Sequence, residues 1–364
     1  MEGLHLNGEF YDVRNLVILA REKAEQSLTD GERSFWSFIT GWFGKDSHLT
    51  LQTSGSTGFP KNITVRKEFF VNSALMTCRF LNVRPGDTAL LCLSPAYIAG
   101  KMMIVRALTN RLKLWTVSPQ IHDIMAFTQK ANFAAMVPLQ IQSIIRETGG
   151  RNLLNGIDKL LIGGAPVTPD LEEKLLSLHN EIYATYGMTE TVSHIALRRI
   201  NGGERSSCYR TLPGVRISID GESRLIIHAP HLTERPVRTN DLAEMVNETE
   251  FKITGRYDYV INSGGIKFSP EKIEEKISPL FSGRFMISSL PDARLGEELI
   301  LIVETGGDKK QHTAVELESL MKTILHPYER PKKIFFLETF PLLPHGKVSR
   351  KLTRENVLKF NKNL

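Results

Sequence analysis

From about residue 86 the chain alternates short apolar runs with longer segments of helical character, and this alternation restricts the architectures open to it. "DTALLCLS" is followed by the helix-like "AGKMMIVRALTN", then "LKLWTVS", then a helical pattern near "DIMAFTQKA". Strands joined through helices predict a parallel sheet covered by those helices. "FAAMV" leads into Pro138, which opens "PLQIQSIIRET"; proline suits a first helical position because its missing N–H would go unbonded there. In "KLLIGGAPVTPDLEEKLLSL" a strand meets a Gly-Gly loop, Thr168 is placed to cap, Pro169 to start a helix, and Asp170 and Glu172 to favour its positive end. "EIYATYG" forms the next strand and ends in the polar loop "YGMTET". Loops after parallel strands are where such sheets hold ligands.

The texture changes near "TGRYDYVINSGGIKFSPEKIEEKI", where Ser269 and Pro270 open a charged helix after a glycine pair. Downstream, "FMISSL", "ELILIVET" and "KIFFLETF" read as strands and "AVELESLMKTIL" as a helix, a compact α+β unit. The expected organisation is a large α/β domain with mixed or parallel sheets over residues 1–255 and a small α+β C-terminal domain over 256–364. A chain of 364 residues is long enough to bury both cores.

Ahead of the alternating region stands "TSGSTGFPK", with two glycines, four hydroxyl residues and a lysine in nine positions. Phe59 and Pro60 separate Gly58 from Lys61, no Ser or Thr follows the lysine, and the next residues, "NITV", read as a strand. A Walker A loop needs the lysine directly after glycine at the start of a helix, so that loop is excluded. The chemistry still suits phosphate: glycines let backbone N–H groups approach, hydroxyls donate and a lysine supplies charge. The plain alternative for this string on its own is a polar hairpin turn.

Composition removes several function classes. The formal charge is +6, but basic and acidic residues are interleaved, and no aromatic-basic platform points to nucleic acid. Cys78, Cys92 and Cys208 make neither a metal-spaced pair nor an even disulfide set, which favours a reducing cytoplasm. No apolar run approaches the roughly 18 residues of a membrane span, and the N-terminal "MEGLHLNGEFYDVRN" lacks the apolar core of a signal peptide.

Six further motifs accompany the loop in order: "GGAP" at Gly163, "YGMTET" at Tyr186, "TND" at Thr239, "GRYD" at Gly255, "SGGIKFSPEKIE" from Ser263, and "PHGKVSRK" with Lys347. With "TSGSTGFPK" they resemble the adenylate-forming superfamily of acyl-CoA synthetases, adenylation domains and luciferases. The resemblance implies an ATP-dependent, AMP-forming ligase in which a carboxylate attacks the α-phosphate of ATP and a thiol, commonly that of coenzyme A, then displaces AMP. It assigns Thr53, Ser54, Gly55, Ser56, Thr57, Gly58 and Lys61 to the β and γ phosphates, Thr189 to the α-phosphate and Glu190 to magnesium. Gly163, Gly164 and Ala165, with Tyr186 and Gly187, would line the nucleotide, Asp241 would accept from the ribose hydroxyls and Arg256 would contact the ribose. Asp258 resembles the hinge residue, Lys347 the adenylation lysine, and Ser263, Gly264 and Gly265 the loop that leaves room for the pantetheine arm.

Members of the superfamily carry a longer region ahead of the phosphate loop, which implies a shortened large domain here and altered acyl-pocket walls. Within the superfamily, "SPAYIAGKMMIVRAL" and "TYGMTETVSHIALRR" resemble o-succinylbenzoate-CoA ligases of menaquinone biosynthesis. Many relatives place histidine near Tyr97, which is the candidate gating aromatic here. A substrate with two carboxylates needs a partner for the one not activated, and Lys101, Ser193, His194 and Arg198 are the candidates. Other aryl or short-chain acyl-CoA ligases, a carrier-loading adenylating enzyme and a non-catalytic nucleotide- or acyl-binding module are the competing readings, and the oligomeric state is open. If the loop grips pyrophosphate, Lys61→Ala slows adenylate formation by about 10–100-fold, the loss expected for one charged hydrogen bond, and spares thiol transfer from preformed acyl-adenylate. Single-turnover assays of each half-reaction check this; normal adenylation with failed transfer would contradict it.

Overall fold

In the computed structural model, which describes residues 2–52, 62–281, 283–306, 313–342 and 348–361, the apolar runs become neighbouring parallel strands. Their order is Lys113–Thr116, Thr88–Leu91, Ala131–Met136, Ile157–Ile162 and Glu181–Gly187. Register places Leu90 beside Ala134, Ala134 beside Leu160, and Leu160 beside Ile182, a row whose members are each 0% exposed. Helices such as Ile98–Asn110, Pro138–Arg146 and Pro169–Leu175 connect these strands. Both faces of a parallel sheet are covered in this arrangement, which is why its strands read as continuous apolar runs. The helix predicted near "DIMAFTQKA" is short: it spans Ile121–Met125, and Phe127 beyond it packs toward Trp115 at a ring separation of 6.4 Å.

The sheet is mixed at its margins. Lys113–Thr116 pairs in parallel with Gly3–Leu6, which turns back onto Glu9–Asp12 through Asn7 and Gly8, at φ 51° and 94°. A two-residue hairpin turn of this hand requires positive φ at both positions, which Asn-Gly tolerates best. On the other side Glu181–Gly187 pairs antiparallel with His194–Arg199, which pairs antiparallel with Tyr209–Thr211. Two N-terminal helices, Val13–Gln26 and Asp30–Trp42, are capped by the side chains of Asp12 and Thr29. Strands His48–Gln52 and Asn62–Arg66 form a separate antiparallel hairpin closed at the Gln52–Asn62 pair. The segment joining them, Thr53–Lys61, lies outside the described residues.

The chain divides into two compact units. One comprises Met1–Ser218, Ile226–Val237 and Val246–Phe251; the other comprises Ile219–Leu225, Arg238–Met245 and Lys252–Leu364. In the second, strands Ile266–Phe268, Ile261–Ser263, Gly296–Glu304 and Phe285–Asp292 adjoin in that order, and Lys333–Leu337 runs parallel to Gly296–Glu304. Along Gly296–Glu304 alternate residues face opposite ways, as the strand period of two demands. Leu299 and Leu301 join Ile273, Ile277, Leu317 and Met321 on one face, while Ile300 and Ile302 join Phe340 and Val357 on the other. Two buried faces account for the unbroken "LILIV".

No helix among the described residues is long and apolar enough to cross a membrane. Cys78 and Cys92 are buried thiols, pushed up to about 11 and about 12 by desolvation. Leu160→Ala, at the centre of the parallel row, is expected to lower unfolding stability by about 2–5 kcal/mol in urea denaturation, the range for a leucine truncated in a close-packed core. A loss well under 1 kcal/mol would show that this row is not the core of the first unit.

Candidate active site

Two of the predicted loops come together in the first unit. Strands Ile157–Ile162 and Glu181–Gly187 are adjacent and parallel, so "GGAP" and "YGMTET" leave the same end of the sheet from neighbouring strands. Each glycine there has a steric reason. A Cβ on Gly163 would meet Thr185 Oγ1 at 2.3 Å, Gly164 sits at φ +83°, and a Cβ on Gly187 would fall 2.3 Å from His194 Cα. Ala165 is exposed beside them. Tyr186 packs edge-on against Phe251, ring centroids 5.3 Å apart.

After Gly187 the chain makes a single 3-10 turn, Thr189–Thr191, and reverses. Thr191 Oγ1 accepts from Met188 N at 3.2 Å and lies 2.8 Å from Ser193 O. Val192 then adopts φ 65°, ψ −45°, with Ser193 N donating to Thr191 O at 2.7 Å, a γ-turn of the rare positive-φ kind. A buried β-branched residue there costs on the order of 1–3 kcal/mol and is held only because the surroundings fix it. Thr189 is partly buried, and Glu190 is exposed with no hydrogen bond or ion pair among the described residues.

The acyl-side candidates separate into two environments. Tyr97, 51% exposed, precedes the helix Ile98–Asn110, and the ammonium of Lys101 donates to Ala96 O at 2.7 Å. Burial lowers the pKa of that lysine from its ordinary value. Arg198 is bound by both oxygens of Glu172, at 3.1 and 2.8 Å, and lies over the Tyr209 ring. Ser193 and His194 belong instead to a buried polar cluster: Ser193 Oγ accepts from Arg106 Nη2 at 3.0 Å, and His194 Nε2 lies 2.9 Å from Thr77 Oγ1. Desolvation, together with the Arg106 charge, holds His194 well below the ordinary histidine pKa.

Arg106 lies within "SPAYIAGKMMIVRAL" but outside the nucleotide motifs and the acyl-side candidates. It is 2% exposed, its Nε has no partner, and no carboxylate lies within ion-pair distance of it among the described residues. Its other contacts are Met103 Sδ at 3.9 Å and the face of Phe133 at 5.8 Å. Desolvation lowers its pKa to about 10. The sequence signal for it is one cation inside the otherwise apolar "MMIVRAL", a place where a charge needs a specific reason.

Asp241, Arg256 and Asp258 meet in the second unit. Arg256 Nε and Nη2 bind the two oxygens of Asp258 at 3.0 and 3.1 Å, and its Nη1 reaches Asp241 Oδ1 at 3.3 Å. The guanidinium groups of Arg256 and Arg350 both lie over the Tyr259 ring, at 5.5 and 5.3 Å. Ser263 ends a strand, and Gly264 and Gly265, at φ 62° and 83°, form the tight turn of its hairpin. Lys347, like Thr53, Ser54, Gly55, Ser56, Thr57, Gly58 and Lys61, lies outside the described residues. Leu342 bridges Val348, and Ser349 N donates to Pro341 O at 2.8 Å.

Residues 15–228 match the profile of AMP-binding enzymes, more than half of the chain. The chain belongs to the AMP-binding enzyme family. A solved AMP-forming acyl-CoA synthetase/AMP-acid ligase II-like protein from Dyadobacter fermentans is 34% identical, with TM-score 0.62, and the match covers 93% of this chain and 98% of that one. A 2-succinylbenzoate-CoA ligase of Lactococcus lactis is 27% identical over 324 residues, 83% of this chain and 70% of that protein. An o-succinylbenzoate-CoA synthetase from Bacillus subtilis, solved with its acyl-adenylate intermediate, shares the fold at TM-score 0.76 and 18% identity, covering 96% of this chain and 94% of that one. This AMP-binding enzyme is an ATP-dependent, AMP-forming acyl-CoA ligase of the adenylate-forming superfamily. Its two loops at the sheet end depend on close glycine approach. Gly187→Ala is therefore expected to cost about 1–3 kcal/mol through overpacking, whereas Gly203→Ala, with open space around it, is expected to be nearly neutral. Thermal melts of the two variants compare them, and equal midpoints would remove the steric argument.

Proposed function

We propose that this AMP-binding enzyme converts o-succinylbenzoate, ATP and coenzyme A to o-succinylbenzoyl-CoA, AMP and pyrophosphate, a step of menaquinone biosynthesis. A carboxylate oxygen of the substrate attacks the α-phosphorus and pyrophosphate leaves. The thiol of coenzyme A then adds to the acyl carbon and AMP leaves. The observation that carries the dicarboxylate reading is Arg106, a buried cation with an unsatisfied Nε beside Ser193 and no carboxylate partner among the described residues. An uncompensated buried charge is costly, and a substrate carboxylate would supply the missing partner. Ser193 lies three residues past Glu190, so a group held there would stay near the loop assigned to the nucleotide. The similarity to the Lactococcus lactis ligase supports the same substrate.

In this proposal Thr53, Ser54, Gly55, Ser56, Thr57, Gly58 and Lys61 grip the β and γ phosphates, and Thr189 donates to the α-phosphate. Gly163, Gly164, Ala165, Tyr186 and Gly187 line the base, and Asp241 and Arg256 hold the ribose. Glu190 suits magnesium: a single exposed carboxylate is the protein's share of a site in which nucleotide phosphates and water supply the remaining oxygens. When bound, the ion neutralises phosphate charge. Lys347 stabilises the charge that develops between carboxylate and phosphate. Asp258 serves as the hinge between half-reactions, and Ser263, Gly264 and Gly265 receive the pantetheine arm. The reaction belongs to the small-molecule metabolism of the cytoplasm.

Carboxylate-dependent AMP and acyl-CoA formation across a substrate panel tests the proposal, with Lys347→Ala as control. The expected result is preference for o-succinylbenzoate over benzoate and short fatty acids, and a KM for o-succinylbenzoate raised about 10–100-fold in Arg106→Gln, the worth of a charged hydrogen bond. Preference for a monocarboxylate, or an unchanged KM in that variant, would overturn the dicarboxylate reading. Unchanged o-succinylbenzoate binding in both Lys101→Ala and Arg198→Ala would remove those two residues from the pocket.

A further inference from the structure

The cluster around Arg106 contains a chain of hydrogen bonds whose direction can be worked out. Thr77 Oγ1 donates to Ser73 O at 2.9 Å and is also 2.9 Å from His194 Nε2. Ser193 Oγ is 3.0 Å from Arg106 Nη2 and 3.4 Å from His194 Nδ1. Each hydroxyl has one hydrogen, and a neutral imidazole has one N–H and one acceptor. With the Thr77 hydrogen on Ser73 O, His194 must donate from Nε2, which leaves Nδ1 as the acceptor for the Ser193 hydroxyl. The lone pairs of Ser193 then face Arg106. The opposite tautomer would put both His194 Nδ1–H and Arg106 on Ser193 Oγ and strand the Ser193 hydrogen without an acceptor among the described residues. Only the first arrangement gives the Thr77, His194 and Ser193 hydrogens an acceptor each. The imidazole is neutral, because it is 6% exposed and stands near a guanidinium.

We infer that His194 is a positioning residue that acts through Ser193 to orient Arg106 for the carboxylate of the acyl substrate that is not activated. The inference rests on the proposed dicarboxylate reading and adds to it the residue that aims the cation. Arg106 has two of its three nitrogens engaged, Nη2 by Ser193 and Nη1 weakly by Met103 Sδ, so Nε remains as a directed donor. The γ-turn at Val192 sets where Ser193 and His194 stand, and strain of this kind persists where surrounding structure over-determines it. Hydroxyl and imidazole groups linked in series polarise one another in a low-dielectric interior, so loss of the last member weakens the first.

Two substitutions separate this role from space filling. In His194→Asn the side-chain oxygen takes the place of Nδ1 and keeps an acceptor for Ser193 while the Thr77 contact is lost. In His194→Gln the side-chain amide reaches Thr77 and the acceptor for Ser193 is lost. With o-succinylbenzoate as probe, the Gln variant is expected to raise its KM about tenfold with the KM for ATP unchanged, and the Asn variant to stay within about threefold of the parent, differences of the size set by one net hydrogen bond. Equal KM changes in the two variants, no change in either, or a parallel change in the KM for ATP would overturn the positioning role. The relay has its own readout: ¹⁵N spectra of histidine-labelled protein should show His194 as the neutral Nε2–H tautomer at pH 7. A Nδ1–H tautomer or an imidazolium would overturn the relay whether or not o-succinylbenzoate is a substrate. Failure of the unsubstituted protein to use o-succinylbenzoate, with the Nε2–H tautomer in place, would instead overturn the substrate reading and leave the relay standing.

Discussion

The reversal of the chain between Gly187 and His194 is the constraint on which the rest of the candidate site depends. Here the sheet changes from parallel to antiparallel pairing, and His194 comes to lie opposite Gly187 with no space for a side chain between them. The turn that achieves this is tight enough to force Val192 into a positive φ, and it spends the Thr191 hydroxyl on its own backbone. On one side of the turn, Tyr186 to Glu190 stays at the sheet end that also carries the Gly163–Gly164 loop. On the other side, Ser193 and His194 join the buried cluster that holds Arg106 and Thr77. One reversal thus joins a polar, solvent-facing loop to a buried cation.

That cation shows how local sequence and tertiary packing share the work. Arg106 sits in a helix whose neighbours Met102, Met103, Ile104, Val105, Ala107 and Leu108 are all buried, so its own burial follows from the helix being enclosed on several sides. Partial compensation comes from Ser193, from the Phe133 face and from Met103, none of which carries a negative charge. The contrast with Arg198 is instructive: that guanidinium is partly buried and bound by both oxygens of Glu172, whose carboxyl is held below its ordinary pKa by Arg198 and Arg205 against the opposing effect of burial. The first arrangement leaves a donor available, and the second is self-contained.

In the second unit a corresponding economy appears around Arg256, which spans Asp258, two residues on, and Asp241 on the strand Val237–Met245. Leu342 bridges Val348, and farther along Arg350 and Arg354 donate to Ile287 O and Ser289 O of the strand Phe285–Asp292. Arg350 also pairs with Glu274 on the helix Pro270–Ile277. These bonds place the C-terminal helix on the face of the sheet that Val357 helps to bury.

Much of this was legible in the residues themselves. Period and punctuation located the parallel strands, the Thr168 cap, the Pro138 and Pro169 helix starts and the strands of the second unit, because each is decided by local backbone chemistry. The ordered motifs marked the family for the same reason: glycines and hydroxyls at set spacings are what a loop against a nucleotide needs. The N-terminal hairpin and two helices were not read, since Gly3–Leu6 becomes a strand only by adding to the edge formed by Lys113–Thr116 far along the chain. The inclusion of Ile219–Leu225 and Arg238–Met245 in the second unit was equally invisible, being a matter of which residues meet in space. So it was with Arg106: its sequence shows a charge in an apolar helix, but only the folded chain keeps the carboxylates of the described residues out of its reach and sets Ser193 and His194 near it. Local patterns determine elements and motifs because their energetics act within a few residues. The pairing of charges, the tautomer of a buried histidine and the strain in a turn are decided by groups that sequence separates and packing brings together.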